Sequence, residues 1–290
     1  MPIKVGIPIG DLDPELATLV TVEADRHGFD SVWLPEHLVM PVAAAGSPFE
    51  GQAHPPMPPE TSFPDPFALL AFLAARTSRV GLATPVYNIG LRHPFTTARA
   101  VATLDILSGG RVHFGVGASW LGGEWDALGL DFARRGGRVD EALAVCRRLW
   151  SEPRVEHHGG YFDFGPVAFE PKPVQRPSPP IHVGGDGPAA LRRAALVGDG
   201  WVPMNHRLDE LAAPIARMAA LRAAAGRREP VEVTFWGPVR DPSDLRRYAD
   251  AGVHRVLVRP WRRGEDPLDG VRRFAAELLP SARALSTIAT

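Results

Sequence analysis

Cysteine is almost missing from this 290-residue chain: Cys146 is the only one. An intrachain disulfide and a cysteine-built zinc centre are therefore excluded. Its setting, DEALAVCRRLW, has a helical apolar period, so the thiol reads as a small buried hydrophobe. Lysine is nearly as scarce, with Lys4 and Lys172 alone. Net charge is almost absent too: the formal value is -1, so no global field favours nucleic acid, an anionic membrane or an acidic partner. No apolar run approaches the length of a membrane-spanning helix, and MPIKVGIPIG lacks the basic and apolar regions of a secretory leader. A cytoplasmic location is the expectation. No HExxH or comparable ligand spacing occurs, so no metal site is expected.

What is present is a core and a rhythm. Hydrophobic residues make up 45% and charged residues 22% of the chain, proportions of a soluble globular protein. Short β-branched runs at 3–10, 31–36, 79–88, 112–118, 181–186, 200–204, 231–237 and 255–261 read as strands. Between or after them, helical periods fall near 14–27, 65–77, 93–108, 137–150, 189–198, 208–225, 242–251 and 267–279. Asp-Pro recurs at Asp13-Pro14, Asp65-Pro66, Asp241-Pro242 and Asp266-Pro267, each time before such a period. Aspartate accepts the orphan amide protons of a first turn, and proline has no amide proton to leave orphaned. About eight strand–helix units imply parallel strands with helical crossovers. An open doubly wound sheet is an alternative, but count and length favour an α/β fold of the closed (β/α)8 TIM-barrel type, one domain over residues 1–290 with insertion segments. Residues 38–64, rich in Pro, Gly and Ala, read as a lid or binding loop at the catalytic end. Residues 151–180 read as a hairpin and an extended proline-rich arm. They hold His157 and His158, which are assigned to structure.

GLATPVYNIG (81–90) breaks the pattern. Proline cannot donate to a sheet ladder, yet Pro85 interrupts what should be an interior strand. Three further segments carry chemistry. GGDGPAALRRAA (184–195) joins a strand to a helix through Gly184, Gly185, Asp186 and Gly187. It suits either a phosphate on a helix N-terminus or a tight turn that needs glycine sterically. It is no Walker loop, and as a dinucleotide fingerprint it is weak. HFGVGASWLGGEWDALG (113–129) offers Gly115 and Gly117 for close approach, and Trp120 either packs on a planar ring or covers the rim. WLPEH (33–37) sets His37 at a strand end, where an imidazole can exchange protons near neutral pH or simply anchor the loop.

HPFTTARAVATLDILSGGRVHFGVGASW, RRGGRVDEALAVCRRLW and PPIHVGGDGPAALRRAALVGDGW occur in family order. Over about residues 3–280 the chain resembles the bacterial luciferase-like monooxygenase superfamily, nearest to its deazaflavin (coenzyme F-420)-dependent oxidoreductases. The resemblance implies a (β/α)8 barrel with cofactor across the C-terminal strand ends. It implies that Gly184, Gly185, Asp186 and Gly187 hold a phosphate through backbone amides, that Gly115, Gly117, Ala118 and Trp120 line the pocket, and that His37 faces the reactive ring. It further implies a bulge behind that ring at Thr84 and Pro85, with a cis Thr84–Pro85 peptide. Some deazaflavin sugar-phosphate dehydrogenases carry glutamate where Trp120 stands, so that reaction is not expected. The expected activity is hydride transfer to or from a small organic substrate at C=C, C=N or carbinol carbon, probed against two alternatives. One is an FMN-dependent monooxygenase supplied by a partner reductase; the other is a non-catalytic flavin- or deazaflavin-binding barrel. A Schiff-base aldolase is disfavoured, since no expected strand offers a suitable lysine. A homodimer is implied by resemblance alone.

Overall fold

Eight short strands, none longer than five residues, close into a parallel barrel in the computed structural model, which describes residues 2–42 and 57–285. With a separate two-stranded hairpin, the ten strands among the described residues are, in chain order, β1 (Lys4–Pro8), β2 (Ser31–Trp33), β3 (Gly81–Ala83), β4 (Val112–Val116), β5 (Val155–His158), β6 (Asp163–Val167), β7 (Ile181–Gly184), β8 (Gly200–Val202), β9 (Glu232–Trp236) and β10 (Arg255–Leu257). The helices are α1 (Pro14–His27), α2 (Pro66–Ala74), α3 (Pro94–Ser108), α4 (Gly122–Ala127), α5 (Arg135–Ser151), α6 (Pro188–Leu196), α7 (Ala212–Ala224), α8 (Pro242–Asp250), α9 (Pro267–Glu277) and α10 (Leu279–Ala284). Around the barrel the order is β1-β10-β9-β8-β7-β4-β3-β2, and β1 pairs with both β10 and β2 to close it. β5 and β6 stand apart as an antiparallel hairpin within the expected insertion.

Helix starts follow the sequence signals. Asp13 accepts from the amides of Glu15 and Leu16, Asp65 from Ala68, Asp241 from Ser243 and Asp266 from Leu268 and Asp269. All four Asp-Pro pairs therefore cap helices. The expected strands are shorter than the runs suggested, and the 208–225 period divides into a 3-10 turn (Leu208–Glu210) and α7. The short helix α4 was not expected. Of the 38–64 loop, residues 43–56 lie outside the described residues.

Pro85 ends β3 instead of interrupting it. Ladder pairing stops at Ala83, and the Thr84 hydroxyl takes over: it donates to the Gly115 carbonyl at 2.8 Å and accepts from the Gly115 amide at 3.0 Å. The chain bows out at Pro85 and Val86 and rejoins β4 at Tyr87, which bridges Val116. A bulge is present, as the resemblance implied. The cis peptide is not: among the described residues only Glu170–Pro171 and Arg176–Pro177 are cis, so the expected cis Thr84–Pro85 bond is corrected to trans. Side-chain hydrogen bonding replaces the missing proline donor without it.

Outward strand residues such as Ile7, Val32, Leu82, Phe114, Val183 and Val256 are buried in the main apolar core. The lower barrel interior is polar. Buried Arg255 donates from Nε to Asp30 at 2.6 Å and from Nη1 to Glu232, and Lys4 pairs with Glu232 at 2.5 Å. His113 and His182 lie beside this cluster, their ring centroids 5.4 Å apart. Trp33 lies against both rings, and with Ala83, Val202 and Leu257 it forms a separate small apolar cluster. Two cations meet two anions here, so the charges balance without the histidines. Burial and the surrounding charges, with Arg255 foremost, hold the His113 imidazole down to about 4. Burial likewise pushes His182 well below its ordinary value.

Candidate active site

A cavity of about 860 Å³ opens among the loops that follow the C-terminal strand ends, the end at which barrels of this type carry their sites. Glycine makes the room. A side chain at Gly117 or Gly184 would collide with Val86, and one at Gly115 would lie 1.7 Å from the Thr84 carbonyl oxygen. These glycines therefore let β4 and β7 nest against the 84–86 bulge, whose Pro85 and Val86 form part of the cavity wall.

His37, Pro85, Gly117, Ala118 and Trp120 line the cavity, as do Gly184, Gly185, Asp186 and Gly187. Thr84 and Gly115 are not among its lining residues; they brace the bulge from behind. Within the glycine turn the roles divide. The Gly185 amide donates to the Val202 carbonyl at 3.1 Å. The Asp186 carboxylate accepts from the amides of Met204 and Asn205 at 2.9 and 3.0 Å, and His206 lies 3.0 Å away. Asp186 thus organises the loop after β8. Gly187 is the N-cap of α6, with proline next and no capping side chain, so the Ala189 and Ala190 amides lack intrahelical acceptors and border the cavity.

The first turn of α5, which runs on from a 3-10 turn (Phe132–Arg134) whose Phe132 carbonyl accepts the Arg135 amide, reaches the same place. Arg135 and Gly136, the first residues of α5, line the cavity beside Arg193 of α6. Arg193 is held by Asp140 at 2.6 Å and by the Gly136 carbonyl at 3.2 Å. Arg135 lies on the Phe132 ring with 4.0 Å between guanidinium carbon and centroid. The uncapped N-terminus of α6, with the Arg135 guanidinium and the Asp140-held Arg193 beside it, makes this end of the cavity attractive to an anion. Sequence reasoning missed Arg135, Gly136 and Arg193, although RRGGR and ALRRAA were in view as family motifs.

Elsewhere in the cavity, His37 is nine-tenths buried as a side chain. Its ring meets Phe63 edge-on at 5.1 Å and Trp120 edge-on at 5.7 Å. Nδ1 lies 3.3 Å from Glu124 Oε2. Next to it, buried Glu36 receives the forked Arg92 guanidinium at 2.9 and 2.6 Å and the Asn88 amide at 2.7 Å. Burial raises the Glu36 carboxyl above its usual range, against the pull of Arg92. This clamp ties the end of β2 to the segment before α3, fixing His37 relative to the bulge. Glu36 and Glu124 were not singled out from sequence because their partners lie 56 and 87 residues away.

A family model described as luciferase-like monooxygenase matches residues 13–264. The chain belongs to this family. A Mycobacterium tuberculosis protein is 36% identical over 260 residues, covering 88% of this chain and 91% of its own length. An F420-dependent glucose-6-phosphate dehydrogenase of Kineococcus radiotolerans is 29% identical over 285 residues, covering 86% and 79%. Among solved structures, an F420-dependent secondary alcohol dehydrogenase in complex with an F420-acetone adduct superposes with a TM-score of 0.79 at 19% identity, covering 98% of this chain and all of its own. The FMN complex of the oxygenating constituent of 3,6-diketocamphane monooxygenase from Pseudomonas putida gives 0.65 at 19%, covering 83% and 68%. At these identities the structural likenesses show the fold, a luciferase-like (β/α)8 barrel. No helix among the described residues is long and apolar enough to cross a membrane.

Proposed function

We propose that this luciferase-like oxidoreductase uses the deazaflavin coenzyme F-420 to transfer hydride to or from a small organic substrate. The observation that carries this reading is that a single cavity is lined both by the uncapped α6 N-terminus with Arg135 and Arg193 and by the His37 imidazole. The residues fit such a cofactor. The Ala189 and Ala190 amides and the two arginines would hold its phosphate. The Pro85–Val86 bulge would back its ring. When bound, the deazaflavin supplies hydride acceptance or donation at C5.

The chain's own part is positioning and proton handling. Loss of hydride from a carbinol carbon makes its oxygen give up a proton, and His37 Nε2 takes it; in the reverse direction Nε2–H returns it. Trp120 and Trp236 border the cavity and offer apolar surface that would cover a bound ring and substrate. The F420-dependent glucose-6-phosphate dehydrogenase relative supports the cofactor assignment, while Trp120 argues against a sugar phosphate as substrate. Exposed Phe72 and Leu107, on the packed helices α2 and α3, are compatible with a homodimer.

FMN is the second reading, because an anion cradle accepts either phosphate; in that case a partner reductase would supply reduced flavin. Fluorescence titrations of the purified protein with F-420 and with FMN, in both redox states, separate the two. Tighter binding of F-420 is expected. Tighter binding of reduced FMN, accompanied by oxygen consumption, would overturn the proposal. Binding of F-420 without turnover across a broad panel of alcohols, ketones, enones and imines would favour a non-catalytic cofactor-binding barrel.

A further inference from the structure

We propose that Glu124 is a positioning residue that fixes the tautomer of His37, so that Nδ1 carries the proton and the Nε2 lone pair faces the cavity. This rests on the reading of His37 as the proton carrier. Glu124 is fully buried, yet among the described residues it pairs with no lysine or arginine; its one ionisable partner is His37. Its Oε1 accepts the Leu38 amide at 2.5 Å and the Val39 amide at 3.4 Å. Its Oε2 faces the Ser119 hydroxyl at 3.4 Å and His37 Nδ1 at 3.3 Å. With both backbone amides of Leu38 and Val39 donating to it, Glu124 is read as the ionised, accepting partner; Nδ1 then donates, and neutral imidazole presents an unprotonated Nε2. Among the described residues Nε2 has no hydrogen-bond partner.

The surrounding geometry serves the same end. Ser119 is the only non-glycine residue with positive φ (60°) among those described, a conformation that costs free energy and recurs at functional sites. It turns the chain so that the Ser119 hydroxyl meets Glu124 while the next side chain, Trp120, meets the His37 ring. Phe63 packs edge-on against the same imidazole. Nδ1 is thereby committed to Glu124, and Nε2 remains for chemistry.

The test is ring nitrogen NMR of His37 in the cofactor-free protein, the signal assigned by its loss in His37→Asn. The wild type is expected to show protonated Nδ1 and unprotonated Nε2 when neutral. In Glu124→Gln the amide oxygen can keep the Leu38 and Val39 amides, which turns its NH2 toward Nδ1 and moves the proton to Nε2. With F-420 loaded, kcat should fall on the order of 10²-fold with deazaflavin affinity changed less than about twofold, and Glu124→Asp should recover part of the loss. Neutral His37 protonated at Nε2 in the wild type overturns the proposal without any variant, as does an unchanged tautomer in folded Glu124→Gln. A tautomer that switches while kcat stays constant instead overturns the reading of His37 as proton carrier. Failure of F-420 to bind the wild type overturns the cofactor assignment and leaves the NMR result standing.

Discussion

Acidification from pH 7 to pH 4 should destabilise the protein through histidines inside the barrel that never touch the cavity. His113 and His182 each have an Nδ1 buried without a hydrogen-bond partner. Burial disfavours imidazolium at both sites, and Arg255 and Lys4 add to it. The unfolded chain takes up a proton at each near pH 6.5, whereas folded His113 does so only at about 4. Between those values protonation favours the unfolded state, so stability falls as pH falls. At about 1.4 kcal/mol per pH unit, His113 alone removes up to about 3 kcal/mol by pH 4. The residue keeps some exposed surface, which makes that figure an upper bound, while His182 adds in the same direction. Asp30 and Glu232, both held low by the burial-opposing charge of Arg255, lose their contribution mainly below about pH 4.5. The assay is urea unfolding of the wild type and of His113→Gln at pH 7, 6, 5 and 4. Stability of the wild type should drop more steeply between pH 6.5 and 4, the two curves diverging by about 1–3 kcal/mol. Parallel curves would refute the account of the barrel interior.

Gly115→Ala should cost at least about 3 kcal/mol, since its Cβ would meet the Thr84 carbonyl at 1.7 Å; it should also weaken cofactor binding about tenfold by shifting the Pro85–Val86 bulge. Gly165→Ala, where a Cβ meets open space, serves as the control, and equal effects in the two variants would contradict the nesting argument. Arg255→Met should destabilise by about 3 kcal/mol, because half-buried Asp30 loses its cation while Glu232 keeps only Lys4. A loss below about 1 kcal/mol in urea unfolding would mean that the interior ion cluster is not coupled as its geometry indicates.

The barrel was legible because its signals are local. A β-branched run and an Asp-Pro cap each act within a few residues, and all eight barrel strands and all four caps lie where those signals put them. Pro85 was legible locally only as a break in its strand; the bulge was implied by the family resemblance. Its peptide geometry was not legible, and neither was the Thr84 hydroxyl's bond to Gly115, 31 residues further on. Asp186 was read for its backbone amide alone; that its carboxylate organises the segment after β8 is a contact 18 and 19 residues away, which sequence does not announce. Lys4 and Arg255 look like surface residues in one dimension; only closure of β1 on β10 brings them into the same interior. Glu124 falls within a glycine-rich stretch, and nothing local announces that His37 is its partner.

The most direct measurement of the central claim is a crystal structure of the protein soaked with F-420. Its phosphate should lie on the Ala189 and Ala190 amides beside Arg135 and Arg193, and its ring on the Pro85–Val86 bulge, with C5 on the side of the cavity that His37 faces. A phosphate bound elsewhere, or a ring whose C5 turns away from His37, would contradict the account.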